Sequence, residues 1–467
     1  DPCETLVQFQ PQTKDELQTA VDLWVSDNPN ALLTYGEINT WDVSQITDMS
    51  NLFDGKQGFN SDISSWDVSG VINMINMFRQ ASDFEGDLSS WDVSNVINMA
   101  GMFNEATNFN GDLSSWDVSS LTQMNQMFLR ATNFNSELSE WNVSNVIGMS
   151  SMFQFTNFNQ DISSWDVSNV TSIGRMFQQN PSFNQDISGW DVSNVTNMIA
   201  TFYLASSFNQ DLSSWDVSNV SDMSGLFSSA TAFDSDLSNW DVSNVLYMSQ
   251  MFRLVNFNPN VASWDVSRAV SMAGMFKDAA LFDQDISGWN VSSVTDMEQM
   301  FWGAVLFNTD LNSWDVSNVT NMRNTFRNVE SFNQDLSSWD VSNVTNMENM
   351  FYEAISFNSD LSSWDVSNVT NMADMFYNVS LSYENKCAIG TAWSVNSAWP
   401  YDWSEFCIPQ TNNYSLVFDG TSWVNLGDLN YISEGTPGEY TIVTNVKFNS
   451  VSGAQFIFGD ERDGNNG

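Results

Sequence analysis

Aspartate follows tryptophan at a fixed place in a sequence unit that this 467-residue chain repeats. The stretch SSWDVSNVTNMENMFYEAISFN at residues 337–358 is one of fourteen similar copies, and the residue after tryptophan is Asp in twelve copies and Asn in two. A second acid stands four residues before the tryptophan in thirteen copies, Asn260 being the exception. Carboxylates at regular spacing could bind calcium or act as general acids and bases.

Equivalent carboxylates would lie about 4.8 Å apart if the copies stack like neighbouring strands. At an effective dielectric of 20 they would repel by roughly 3 kcal/mol per pair. Hydrogen bonds from serine hydroxyls and backbone N–H groups would stabilise them, which is our default interpretation. The alternative is a ladder of calcium ions between successive carboxylates. A thermal melting midpoint that is the same with added calcium and with a chelator would exclude this alternative. The ladder would use Asp67, Asp92, Asp117, Asp166, Asp191, Asp216 and Asp241.

The composition excludes several classes of function. The chain has no histidine, which rules out a His-containing triad or a His-ligated zinc site within it. Its net charge of −44 argues against nucleic-acid partners and against docking on anionic lipid. No run of eighteen apolar residues occurs, so we expect no membrane insertion. No acid pair differs from its copies in a way that would mark a catalytic site, so we expect no enzyme activity.

The spacing of the tryptophans predicts a repeat solenoid, in which each unit stacks only on its neighbours. From Trp41 to Trp364 the period is 25 residues except for two steps of 24. The missing residue lies at 153–158 in one short unit and at 252–257 in the other, which indicates a surface loop there. We therefore expect about fourteen coils, with the tryptophans and methionines in the core and not stacked on sugars or bound to soft metals.

Each coil is predicted to contain one short parallel β-strand and one 3₁₀ or helical turn. Residues 63–69 alternate apolar and polar side chains, which is typical of a strand with Trp66 inside and Asp67 outside. The later pattern V-x-x-M-x-x-M-F at 71–78 has steps of three, which favours the turn. Asparagines after the second phenylalanine predict an asparagine ladder between coils. Examples are Asn110, Asn135, Asn159 and Asn184.

Caps are expected at both ends, because an open solenoid end would be adhesive. Residues 1–40 contain the capping box Thr13–Glu16, followed by apolar residues on a helix of about a dozen residues. Residues 41–378 form the repeats, and 379–410 form a short helical C-terminal cap. Within that cap Cys387 and Cys407 are interpreted as a disulfide, the alternative being two free thiols. The sequence leaves the partner of Cys3 open.

The unit WDVSNVTNM-x-x-MF-x5-FN-x-DLSS resembles the leucine-rich repeat of BspA-like surface proteins, a type also found in mycoplasma lipoproteins. The resemblance covers roughly residues 5–408, and the ending NKCAIGTAW…WPYDWSEFC is similar to the tail of such arrays. It implies a leucine-rich-repeat-like solenoid in a cell-surface or secreted protein with a role in adhesion. It carries over no binding residues.

A second resemblance concerns residues 411–467, where NYSLVFDGTSWVNLGDLN and EYTIVTNVKFNS look like the first strands of a laminin-G or concanavalin-like jelly roll. The segment is short for a complete β-sandwich, so we expect the natural chain to continue past Gly467. The start at Asp1 fits a mature, processed product.

These features together predict a non-enzymatic adhesin or scaffold located outside the cell or on its surface. The solenoid would act as a spacer and as an acidic interaction surface. The jelly roll would bind an extracellular glycan or a matrix or host-surface protein. Two alternatives stay open: an accessory region of a larger secreted hydrolase, and a structural protein that self-associates.

Overall fold

The structure is a computed structural model that describes residues 8–407, so Cys3 and the predicted jelly roll at 411–467 lie outside the described residues. In the described part the helices are α1 (Lys14–Ser26), α2 (Asn28–Tyr35) and α3 (Tyr383–Trp393). Two short 3₁₀ helices, Ile38–Thr40 and Ser404–Cys407, complete the regular elements there. Between the terminal helices, thirteen isolated parallel bridges run from Asp48 to Asn371, each joining a residue to its equivalent in the next copy. The repeats therefore stack in register as successive coils.

Backbone hydrogen bonds connect neighbouring coils through the M-x-x-M-F segment. Every second N–H there donates to a carbonyl of the following coil. In the coil that contains Phe78 the bonds are Met74 to Asn98 (3.0 Å), Asn76 to Ala100 (2.9 Å), Phe78 to Met102 (2.8 Å) and Gln80 to Asn104 (2.7 Å). These bonds, repeated from coil to coil, satisfy the buried backbone of the stack.

The 3₁₀ or helical turn predicted at this segment is present only as single turns closed by bonds of the 3₁₀ kind, such as Met77 N–H to Met74 C=O at 3.2 Å, and not as a helix. Left-handed residues recur four positions apart, with φ of 53° at Asn76 and 60° at Gln80, and they interrupt any helical run. Glycine stands at some equivalent positions, such as Gly101 with φ of 66°, where no Cβ opposes this conformation. The segment is a series of turns whose backbone groups form hydrogen bonds with both the preceding and the following coil.

The strand predicted at 63–69 is not formed either; the backbone there makes turns. The N–H of Trp66 donates to Ile63 C=O at 3.1 Å, and that of Val71 donates to Val68 C=O at 2.9 Å. The reason is local: Asp-x-Ser gives the backbone a side-chain acceptor, which competes with extended pairing. Ile63, Trp66 and Val68 are nevertheless buried, so the inward and outward faces agree with the prediction.

Aromatic columns fill the core. All fourteen repeat tryptophans are only 2–4% exposed, which confirms their assignment to the core. Phe103 stacks on Phe109 of its own coil with ring centroids 4.0 Å apart, and on Phe128 of the next coil at 5.6 Å. Each aromatic contact between coils thus needs one ring from each of two neighbouring units. Burial of these large apolar side chains is the main contribution to the stability of the stack.

The indole N–H of each repeat tryptophan also has a partner in the described structure. Trp190 Nε1 donates to Ile162 C=O of the preceding coil at 3.1 Å, and Trp215 Nε1 donates to Ile187 C=O at the same distance. Trp41, which has no repeat before it, donates to Gly36 C=O at 3.2 Å instead. The tryptophan column is therefore a hydrogen-bond ladder as well as an apolar core.

The asparagine ladder is confirmed. Asn110 Oδ1 accepts from the N–H of Asn135 at 2.8 Å, and Asn135 Oδ1 accepts from Asn159 at 2.8 Å. Asn159 Oδ1 in turn accepts from Asn184 at 2.9 Å. These bonds link successive coils outside the M-x-x-M-F segment, where backbone-to-backbone pairing between coils is sparser.

The N-terminal cap covers the first tryptophan. Thr13 Oγ1 accepts from Glu16 N–H at 3.3 Å, while Glu16 Oε2 accepts from Gln12 N–H at 2.7 Å, so the capping box is shifted by one residue. Trp24 on α1 contacts Trp41 edge to face, with centroids 5.9 Å apart. The first coil is thereby shielded from water.

The C-terminal cap continues the tryptophan column. Trp393 on α3 stacks on Trp364 with centroids 6.0 Å apart and is fully buried. A disulfide joins Cys387 to Cys407, whose Cα atoms lie 4.7 Å apart, and ties α3 to the second 3₁₀ helix. The last coil is therefore closed by a covalently fixed aromatic lid.

Replacing Trp190 with Phe should destabilise the protein strongly, because it removes the indole bond to Ile162 C=O, which then keeps only the N–H of Trp165, and because it opens a cavity in the core. We expect a loss of about 2–4 kcal/mol and a lower urea midpoint, followed by circular dichroism. Val395→Ala, at a side chain 90% exposed, is the control and should change the midpoint little. A Trp190→Phe midpoint equal to wild type would contradict the proposed role of the indole bond.

Candidate functional site

The acidic columns are built from turns. Asp67 Oδ1 accepts from Ser69 N–H at 3.1 Å and from Ser69 Oγ at 2.6 Å. In the second column Asp62 Oδ1 accepts from Ser64 N–H at 3.0 Å. Such Asx turns need a short side chain with an acceptor oxygen two residues before the donor. The Asp-x-Ser spelling of the repeat supplies this in both columns.

All seven aspartates predicted as calcium ligands lie in such turns. Each accepts the N–H of the serine two residues later, at 3.0–3.1 Å. Within residues 8–407, no group of three or more acidic or cysteine side chains is arranged to hold a metal ion. The structure shows the hydrogen bonds of the default interpretation, and the calcium ladder stays a prediction.

Two copies show that the turn does not need a charge. Asn142 Oδ1 accepts from Ser144 N–H at 3.2 Å, and Asn290 Oδ1 accepts from Ser292 N–H at 3.1 Å. The amide oxygen therefore makes the same bond as the carboxylate. Aspartate in the other twelve copies adds negative charge to the surface, although a neutral asparagine would be enough to form the turn.

Hydrogen bonds lower the pKa of three of these carboxylates, Asp92, Asp117 and Asp191. The Ser193 hydroxyl and, next, its N–H lower the pKa of Asp191 below the ordinary value. The pKa of Asp117 is lowered in the same way by Ser119. At Asp92 the bonds from Ser94 lower the pKa, although the charge of Asp117 opposes the shift. A carboxylate held in this state is suited to charge presentation and not to proton transfer near neutral pH.

Sequence reasoning missed one column, because it found no position that breaks the repeat. The residue after Met-Phe, or after its equivalent, is cationic or aromatic in the last six coils. These residues are Arg253, Lys277, Trp302, Arg327, Tyr352 and Tyr377. Aligning the repeats and comparing this single position would have shown the change. We call these six residues the cation–aromatic column.

The cation–aromatic column is stacked from coil to coil. Lys277 Nζ lies 3.8 Å from the centre of the Trp302 ring, and Arg327 Cζ lies 4.8 Å from that ring. Arg327 also lies 4.3 Å from the Tyr352 ring, which stacks on Tyr377 at 4.6 Å. Burial lowers the pKa of Lys277. Because the ring faces are covered by their neighbours, the column stabilises the stack and offers few free faces to a ligand.

A polar groove of about 800 Å³ crosses the first half of the stack, between Gln57 and Pro181. One wall is a chain of contacts: Gln80 Nε2 donates to Glu105 Oε2 at 3.0 Å, and Glu105 Oε1 binds Arg130 Nη1 at 3.2 Å. Arg130 Cζ in turn lies 5.0 Å from the centre of the Phe155 ring. Hydroxyl and amide side chains line the rest, among them Ser82, Thr107 and Thr132. Sequence reasoning also missed this groove.

No helix in the described part of the chain is long and apolar enough to cross a membrane. The molecule was also compared with known proteins. A family model described as "Mycoplasma protein of unknown function, DUF285" matches five overlapping stretches. They are residues 27–141, 109–214, 178–289, 222–326 and 282–388. No curated protein matches the chain. The matches establish a repeat protein, whereas the BspA-like leucine-rich type and the laminin-G-like segment stay predictions.

A triple substitution tests the role of the acidic turns. Changing Asp92, Asp117 and Asp191 to Asn should leave the urea midpoint at pH 7 near that of wild type, because the amide keeps the bond seen at Asn142. Changing the same three to Ala should cost about 1 kcal/mol per turn.

The pH dependence has a definite sign. A lowered folded-state pKa gives stability that is present above the unfolded pKa, near 3.9, and is lost as pH falls through the folded value. The midpoint should therefore fall between pH 5 and pH 2 in wild type, and fall less in the triple Asn variant. Equal falls in the two proteins would show that the turns do not lower these pKa values.

Proposed function

The chain belongs to the Mycoplasma repeat family DUF285, and from this premise we propose that it is a non-enzymatic adhesin or scaffold displayed outside the cell. The observation that carries the proposal is the uninterrupted stack. Backbone bonds between coils run from Met49, which donates to Asn73 at 2.9 Å, to Glu353, which donates to Tyr377 at 2.8 Å. A continuous ladder with a cap at each end makes a stiff rod.

The rod has a length suited to presentation. Fourteen coils at about 4.8 Å each give roughly 65–70 Å. A spacer of this kind holds a binding module away from the surface that carries it, and repeated surfaces give avidity without a unique pocket. We assign recognition of a glycan or a matrix protein in part to the predicted jelly roll at 411–467, which lies outside the described residues.

Two further features support an extracellular setting. The disulfide between Cys387 and Cys407 fits an oxidising compartment, because cytosolic thiols are kept reduced. The ionised Asp columns give a solvated acidic surface over the length of the rod, which keeps it from associating through its backbone edges. The carboxylates act in this proposal as turn acceptors and surface charge, not as catalytic groups.

Labelling of intact cells tests the proposed location. Antibodies raised against residues 41–378 should bind unpermeabilised cells that express the chain, and brief proteinase K treatment of those cells should remove the signal. An antibody to a cytosolic protein is the control for intact membranes. Labelling that requires permeabilisation would contradict the proposal.

Bead retention tests the proposed adhesion. Beads coated with the full chain should be held on surfaces coated with gelatin, laminin or mucin more strongly than on blocked plastic. Beads coated with an acidic globular protein of similar charge density control for electrostatics. Equal retention of the two kinds of bead on every surface would overturn the adhesive role.

A further inference from the structure

The polar groove lies where the repeat departs from its own pattern. The unit at 153–158 lacks one residue, and two positions that are usually alanine in other coils hold polar side chains there, Thr156 and Asn180. Both are buried, 2% and 0% exposed respectively. The unit is repeated fourteen times, so several differences from the repeat pattern in one region indicate that this region has a function besides stacking.

Thr156 and Asn180 form a hydrogen-bonded cluster at one end of the groove. Asn180 Nδ2 donates to Phe158 C=O at 2.9 Å and to Thr156 Oγ1 at 3.3 Å. Asn180 Oδ1 accepts from Phe183 N–H at 3.2 Å, and Thr156 Oγ1 donates to Phe153 C=O at 2.8 Å. The shortened loop is thus fixed by buried hydrogen bonds, which hold Phe155 half-buried at the groove.

The lining of the groove is balanced in charge, unlike the molecule as a whole. The groove has one acid, Glu105, and one base, Arg130, and these two are paired with each other. The remaining polar lining consists of amides and hydroxyls, which both donate and accept hydrogen bonds. A protein with net charge −44 repels polyanions, so a neutral ligand rich in hydroxyl groups fits this lining best.

The hydroxyls are also spaced for a linear ligand. Thr107 Oγ1 donates to Ser82 C=O and Thr132 Oγ1 donates to Thr107 C=O, both at 3.4 Å, and Asn157 Nδ2 donates to Thr132 C=O at 3.1 Å. With their own protons so used, the hydroxyl oxygens keep lone pairs for a ligand. Successive coils are about 4.8 Å apart, close to the length of one hexopyranose in an extended chain.

We propose that the polar groove binds a neutral, extended oligosaccharide, with Phe155 packing against the apolar face of one sugar ring and the hydroxyl and amide row contacting successive sugars. Arg130 covers part of the Phe155 ring and holds it in position, and the sugar packs against the part of this half-buried ring that stays exposed. The site deepens the adhesive function proposed above and rests on it, but it is located in the repeats and not in residues 411–467.

Affinity electrophoresis of the full chain tests this proposal. Native gels would contain a neutral polysaccharide (mixed-linkage β-glucan, xyloglucan or galactomannan), the polyanion polygalacturonate, or gelatin. At least one neutral gel should retard the wild-type chain in proportion to polymer concentration. Retardation only by polygalacturonate, only by gelatin, or by none of these polymers would overturn the assignment.

Three variants locate the binding. Phe155→Ala removes the ring, and Thr132→Tyr fills the groove from an exposed position; each should weaken neutral-polymer binding at least tenfold. Leu254→Ala is the matched control, because Leu254 occupies the place of Phe155 in the other 24-residue unit, and it should bind like wild type. Melting curves identify a variant that fails to fold, in which case the other variant decides.

The outcomes separate this inference from the adhesive function. If both folded variants bind the neutral polymer like wild type, the groove is not the site, even if coated beads still adhere. If the beads fail to adhere while the variants lose neutral-polymer binding, the groove stands as a carbohydrate site and the adhesive role does not.

Discussion

No repeat of this protein supplies the hydrogen-bond acceptor for the indole N–H of its own tryptophan. The indole N–H of each repeat after the first needs a carbonyl from the coil before it, as Trp190 does with Ile162, and its ring needs a neighbouring coil to exclude water. The same holds for the phenylalanine columns, whose rings stack from one coil to the next. Stability therefore arises between units and propagates along the chain, and the caps exist because the first and last units lack one neighbour.

The acidic surface follows from the local backbone. Each coil must turn sharply around its tryptophan, and Asp-x-Ser makes that turn with a side-chain acceptor. Because an asparagine makes the same bond at Asn142, the excess of aspartate is a choice of charge and not a requirement of the fold. In the proposed function, this charge keeps the stacked coils from associating through their backbone edges.

Much of the architecture could be predicted from the sequence. The period located the coils, the apolar positions located the core, and the capping box and cysteines located the two ends. The local conformation could not be predicted, since alternation at 63–69 fits a strand and steps of three at 71–78 fit a helix. The Asx turn at Asp67 prevents the strand, and the left-handed conformation of Asn76 prevents the helix. Neither feature changes the 25-residue spacing of the repeat, so the spacing does not reveal them. The polar groove was missed because Arg130 and Phe155, one repeat apart in the sequence, come together only when adjacent coils stack.

Amide hydrogen exchange, resolved by residue, tests the central claim most directly. If coils pair through the M-x-x-M-F segment, the N–H groups of Met74, Asn76 and Phe78 should exchange slowly, as should the indole N–H of Trp91. The N–H of Ile75, which is bonded only to the side chain of Asn73, should exchange faster. Fast exchange of the indole proton, or protection concentrated at 63–69 instead of 74–80, would contradict the account of coils joined in this register.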